Sequence, residues 1–182
     1  MKDSIEKVIF SEEQIKTALK DMGKRITEEY AGKKPLLICI LKGGIVFLSD
    51  LMRNIDLMCD VDFMIVSSYG SDTVSSGVIK IKKDLDTDIF GRDVIIVEDI
   101  LDSGITLFSL KQILNDRKPA SLKICAFLEK QVERVVDIKA DYKCFDIENQ
   151  FVVGYGLDYA QDYRNLPYIG ILKKSVYESS YK

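Results

Sequence analysis

The chain has 182 residues, 47% apolar and 30% charged, with 26 basic and 29 acidic side chains and a net charge of −3. That length supports a single domain with its own core, and the composition excludes a disordered chain. The charge argues against nucleic-acid or membrane partners held by electrostatics, and the absence of histidine removes histidine triads, bases and metal sites.

The opening MKDSIEKVIF lacks the apolar core of a signal peptide. No stretch reaches the roughly 20 apolar residues that span a bilayer, so a cytoplasmic location is expected. Ser11-Glu12-Glu13-Gln14 reads as a capping box, and Ile15, Leu19, Met22 and Ile26 follow at helical spacing, with Gly32 as a stop. Pro35 leads into the apolar strand LLICIL, which Lys42-Gly43-Gly44 breaks. A second helix carries Val46, Phe47, Leu48, Leu51 and Met52, and Val61–Ser67 reads as a strand. Residues 68–77 are small and polar, the composition of a long exposed loop, and the alternating GVIKIKK is the far arm of a hairpin. DVIIV (93–97) is a buried strand, Asp102-Ser103-Gly104 turns into a helix reaching about Asn115, and SLKICAFL (121–128) is again a strand. From Val132 the pattern is irregular, with strand candidates around 143–146 and 151–153. Apolar strands alternating with helices predict βαβ units and a parallel sheet covered on both faces. Cys39, Cys59, Cys125 and Cys144 form no C-x-x-C pair, and the reading is buried structural thiols.

The segment from Val94 to Thr106 carries the chemistry. It is a buried strand, two adjacent acids (Glu98, Asp99), then Asp102-Ser103-Gly104-Ile105-Thr106 opening a helix. Ligands in open parallel sheets sit beyond the carboxyl ends of the strands. A helix N-terminus offers unpaired N–H groups and a favourable dipole to a phosphate. The spacing is neither that of a P-loop nor that of a dinucleotide turn. A bland alternative makes Asp102 an N-cap and Glu98 and Asp99 solvated strand-end acids. Three carboxylates within five residues repel one another unless a cation is near, and a hydrated Mg²⁺ held through a sugar–phosphate ligand meets that need.

The thirteen-position pattern of four apolar residues, two acids, two apolar residues and Asp-Ser-Gly-x-Thr resembles the phosphoribosyl-pyrophosphate (PRPP) motif of type I phosphoribosyltransferases. Further segments resemble the hypoxanthine-guanine branch: Leu41-Lys42-Gly43-Gly44, Ser68-Tyr69, Phe127-Leu128-Glu129-Lys130, and Phe151 to Tyr159 with Arg164 six residues after Asp158. The likeness runs in order from about Leu36 to Ile171. It implies an α/β fold of the type I phosphoribosyltransferase kind: a parallel sheet core (about 35–130) flanked by helices. A small hood would come mainly from about 132–182, with N-terminal help.

The resemblance also implies roles. Glu98, Asp99, Asp102, Ser103, Gly104, Ile105 and Thr106 would bind the ribose and 5′-phosphate of PRPP, with Asp102 the catalytic proton acceptor at purine N7. Lys42, Gly43, Ser68, Tyr69 and Arg164 would bind pyrophosphate, with a cis peptide between Leu41 and Lys42. Lys130, Phe151, Val152 and Asp158 would bind the purine. Lys130 would donate to O6 of a 6-oxopurine, because an ammonium has no acceptor for an amino group. Glu98, Asp99 and Asp158 would serve Mg²⁺, the implied cofactor. The implied reaction forms IMP or GMP and pyrophosphate, with PRPP and a 6-oxopurine as partners, no nucleic acid or membrane, and a homodimer or homotetramer. A xanthine-preferring enzyme and a non-catalytic PRPP sensor stand as alternatives.

Overall fold

The computed structural model describes residues 1–68 and 79–177. After β1 (Ile5–Phe10), the helix α1 (Glu12–Glu29) opens on the expected capping box. The Ser11 hydroxyl accepts from the Gln14 N–H, and the Gln14 side chain accepts from the Ser11 N–H. Ile15, Leu19, Met22 and Ile26 form its buried stripe. The helix ends at Glu29, a little before the expected stop, and Gly32 serves the following turn.

The main sheet comprises β2 (Leu36–Ile40), β3 (Asp60–Ser68), β4 (Ile79–Lys83), β5 (Asp93–Leu101), β6 (Ser121–Lys130) and β7 (Tyr142–Ile147). Its spatial order is β4-β3-β2-β5-β6-β7. All neighbours are parallel except β3 and β4, the expected hairpin. The helices α1 and α2 (Gly44–Asn54) cover one face, and α3 (Ile105–Asp116) covers the other. Successive strand residues therefore enter different cores: Leu37, Cys39, Ile95 and Val97 pack with α1 and α2, while Leu36, Ile38, Val94 and Ile96 pack with α3. Phe127 anchors the first core against Phe47, Phe145 and Tyr155, with ring centroids 5.4, 5.7 and 4.7 Å away. The four cysteines are free, and burial pushes the thiols of Cys39 and Cys144 up to about 12. No helix among the described residues is long and apolar enough to cross a membrane.

A second, three-stranded antiparallel sheet, in order β1-β9-β8, joins the two ends of the chain through β8 (Val152–Val153) and β9 (Ile169–Leu172); a short α4 (Lys174–Tyr177) follows. The sequence pattern marks β8 but neither β1 nor β9, whose few residues carry no legible period. β5 also runs four residues past its expected end. β6 pairs with it as far as Leu101↔Glu129, so Glu98 and Asp99 lie within the strand and not beyond it. The chain leaves β2 toward β3 on one side and returns through β5 on the other. That reversal opens a crevice at the carboxyl ends of β2 and β5.

Candidate active site

A cavity of about 370 Å³ fills this crevice. The turn after β2 brings Lys42 and Gly43 to one wall, and β5 with its following turn brings Glu98, Asp99 and Asp102 to Thr106 to another. Asp158 and Arg164 close it from the C-terminal segment. The Leu41–Lys42 peptide is cis. Gly43 packs directly against the Asp99 carboxylate, so any Cβ at this position would overlap it. A side chain there would have to displace the acid.

α3 begins at Ile105, with Gly104 as its N-cap in the left-handed region (φ 77°) and no side-chain cap. The bland reading of Asp102 as an N-cap is therefore wrong: the cap falls two residues later, and the Asp102 side chain is available for other work. A Cβ on Gly104 would press into the Ile138 side chain. Ser103, Gly104, Thr106 and Leu107 line the cavity at the start of this helix, an arrangement that suits a phosphate. Ile105 is not part of the cavity wall.

Glu98 and Asp99 sit side by side in the crevice floor. Removal from water, then the neighbouring Asp99 charge, pushes the Glu98 carboxyl well above its usual range. Burial also raises Asp99, against the lowering pull of hydrogen bonds and of Arg164; the Ile100 N–H donates to its Oδ1 at 2.8 Å. Among the described residues no three acids converge as a metal cage. An adjacent, under-neutralised acid pair beside an anion-binding turn fits a Mg²⁺ that keeps waters and substrate oxygens. The third acid named for metal binding, Asp158, is occupied: Arg164 lies 2.8 Å from its Oδ1 and the Gln161 N–H donates to its Oδ2 at 2.8 Å.

Lys130, at the end of β6, holds its ammonium 2.7 Å from Asp102 Oδ2. The lysine is largely buried and the aspartate is exposed at the cavity mouth. Arg164 donates to the Gly156 carbonyl at 2.7 Å, and the Lys42 ammonium donates to Gln161 Oε1 at 3.0 Å. Phe151 and Val152 do not line this cavity. Phe151 is 40% exposed, stacks on Tyr177 at 5.1 Å and meets Tyr159 edge-on at 5.6 Å. Val152 is buried in β8. Ser68 ends β3, paired with Ile79; Tyr69, like the rest of the loop expected at 68–77, lies outside the described residues.

Sequence reasoning missed Gln161, which links Lys42, Asp158 and Arg164, and Arg134, whose bonds to the Asp102 turn are described below. Gln161 sits at positive φ in an irregular turn and leaves no sequence signal. Arg134 had one indirect signal, the acid Glu129 inside a buried strand end, which calls for a cationic partner.

Comparison with known proteins agrees with this geometry. The family profile for the phosphoribosyl transferase domain matches residues 7–160. The hypoxanthine-guanine phosphoribosyltransferase of Bacillus subtilis is 54% identical over 179 residues, 98% of this chain and 99% of that protein. A crystal structure of a hypoxanthine phosphoribosyltransferase from Staphylococcus aureus superposes with a TM-score of 0.95 at 46% identity, covering 97% of this chain and 96% of its own. The Trypanosoma cruzi hypoxanthine phosphoribosyl transferase, studied for the role of its C-terminal region in oligomeric state and activity, matches with a TM-score of 0.93 at 40% identity, covering 98% and 97%. The crevice with its phosphate turn, the acid pair on β5 and these near full-length matches lead to one assignment: the chain belongs to the phosphoribosyl transferase family, among its hypoxanthine-guanine phosphoribosyltransferases.

Proposed function

We propose that this chain transfers the 5-phosphoribosyl group of PRPP to N9 of hypoxanthine or guanine, forming IMP or GMP and releasing pyrophosphate. The observation that carries the reading is the Lys130–Asp102 pair at 2.7 Å on the lip of the phosphate turn. It sets a donor beside a carboxylate acceptor, the complement of O6 and N7–H along one edge of a 6-oxopurine. In the transfer, the N9–C1′ bond forms, the bond from C1′ to pyrophosphate breaks, and the N7 proton passes to Asp102. The sugar carbon takes on oxocarbenium-like character, so the protein's main tasks are to hold charge on the leaving group and manage that proton.

The turn at Ser103, Gly104, Ile105 and Thr106 holds the 5′-phosphate. Lys42, the Gly43 amide and Arg164 hold pyrophosphate, together with Ser68 and Tyr69. Phe151 stacks on the purine and the Val152 carbonyl reads its edge. Glu98 and Asp99 would contact the ribose hydroxyls and, with Asp158, would hold a Mg²⁺; Asp158 is paired with Arg164 at 2.8 Å. Mg²⁺, when bound, neutralises charge on the departing pyrophosphate. The small sheet with α4 acts as a hood over the purine side. We assign the chain to the cytoplasm and to a homodimer or homotetramer.

The test is pyrophosphate release with Mg²⁺, PRPP and each of hypoxanthine, guanine, xanthine and adenine. Turnover with the first two is expected. Asp102→Asn should cut kcat by about 10²–10⁴-fold, the usual worth of a positioned general base. Adenine used as well as hypoxanthine would sink the role of Lys130. PRPP binding without turnover on any base would make the chain a sensor.

A further inference from the structure

The Asp102–Lys130 pair stands on a support that no part of the transfer chemistry requires by itself. Arg134, in the connection between β6 and β7, is largely buried with its side chain 13% exposed. Its Nε donates to the Asp102 carbonyl at 2.9 Å. Its Nη2 donates to the Lys130 carbonyl at 2.8 Å and to the Leu101 carbonyl at 3.3 Å. Its Nη1 donates to Glu129 Oε1 at 3.0 Å. One guanidinium thus ties the last residues of β5 to the last residue of β6. The planar fork can reach several carbonyls at once, which a lysine cannot.

Glu129 is only 5% exposed. It lies next to Lys130 in sequence, and its second oxygen meets Lys143 at 3.3 Å. Its carboxylate fixes Arg134 from behind with charge-assisted geometry. Ser103 and Gly104 line the active cavity and Arg134 does not, so the guanidinium stands behind the phosphate turn. The peptide between Asp102 and Ser103 is planar and trans. With its carbonyl drawn back to Arg134, its N–H is turned the other way, toward the cavity side. Gly104 packs against Ile138 and the Arg134 stem from the same connection.

Building on the function proposed above, we propose that Arg134, braced by Glu129, is a positioning residue. It holds the Asp102 carboxylate, the Ser103 amide and Lys130 in the one arrangement that receives a purine and a 5′-phosphate together. The pyrophosphate residues Lys42, Gly43 and Arg164 have no bond to it, so the two halves of the pocket should respond differently when it is changed.

The experiment uses the full chain and two probes, IMP and pyrophosphate with Mg²⁺, by titration calorimetry beside steady-state kinetics. Arg134→Lys keeps a cation for Glu129 and loses the fork. It should weaken IMP by about ten-fold or more and lower kcat comparably, as a small misplacement of reacting groups does. Pyrophosphate affinity should stay within about two-fold of wild type, since no bond there is touched. Glu129→Gln, of the same shape, should weaken IMP by about three-fold, because a charged brace becomes a neutral one. Wild-type IMP binding and turnover in Arg134→Lys would overturn the proposal, and so would equal losses of both probes. If Arg134→Lys does not fold, Glu129→Gln decides through the same ratio of probes, and an unchanged ratio overturns it. Failure of the underlying function is separate: the wild-type chain would then show no turnover with any base.

Discussion

At the amino ends of the strands, Asp60 lies 2.6 Å from Lys34 and 2.7 Å from Arg92, Asp93 lies 3.2 Å from Lys33, and Glu29 bonds Lys123 and the Tyr142 hydroxyl. Each of these carboxyls is held below its ordinary value: Asp60 by Lys34 and Arg92, Glu29 by Lys123 and Tyr142, Asp93 by the Ser121 hydroxyl and then Lys33. At the carboxyl ends, Glu98 and Asp99 are raised, because burial removes their water and, for Glu98, because the Asp99 charge lies beside it. The same sheet carries both sets. The difference teaches that the amino end neutralises its acids within the fold, while the carboxyl end sets two acids side by side in the cavity floor, where each raises the cost of ionising the other.

After Asp102→Asn, the largest effect expected at the carboxyl end is from Gly43→Ala. Its methyl group would displace the Asp99 carboxylate and should cut kcat/KM for PRPP by about 100-fold, with an unchanged circular dichroism spectrum. Near-normal kinetics in this variant would mean that the packing of Asp99 on the Lys42 turn is irrelevant to PRPP.

A middle-sized effect separates the two ends by pH. Glu98 and Asp99 bind protons more tightly folded than unfolded, so their part of the stability is present at low pH and lost as pH rises through their raised values. The lowered acids at the amino end act in the reverse sense: their contribution holds above the ordinary carboxylate range and fails as pH falls below it. The ligand-free chain should therefore melt higher near pH ~5.5 than near pH ~8, a window above the ordinary carboxylate values. Glu98→Gln should flatten that slope. A melting temperature that rises from the lower to the higher pH would reverse the assignment of the two ends.

The smallest effect belongs to the amino end. Lys123→Met removes a partly exposed partner of Glu29 and should cost about 1 kcal/mol or less in urea unfolding, with turnover unchanged. A loss of turnover would show that the amino end is not merely structural.

Much of this comparison was legible in the sequence. The capping box at Ser11, the apolar run after Pro35 and the DVIIV strand mark α1, β2 and β5 because each has a strong local signal. The motif from Val94 to Thr106 marks the carboxyl end for the same reason: acids, small residues and a hydroxyl crowd into one turn. The small sheet was not legible. β1 and β9 are short, and their pairing joins residues at opposite ends of the chain, which no local window sees. Arg134 was invisible for a related reason. Its role comes from three carbonyls, and a backbone acceptor exists at every position, so only the folded geometry selects those of Leu101, Asp102 and Lys130. Asp158 reads as an acid near the substrate, yet its partners Arg164 and Gln161 become known only once the turn that carries them is formed.

The pairing of β1 with β9 sets an order of assembly. The strands β2 through β7 can find neighbours as the chain emerges, since their partners are near in sequence. The first strand cannot, because its partner lies far along the chain. Closing so long a loop is slow and entropically costly, and it follows consolidation of the central sheet. Asp158 and Arg164 lie on the segment that arrives with this closure. The cavity wall at Asp102 to Thr106 therefore forms with the central sheet, and the opposite wall at Asp158 and Arg164 is completed only after it.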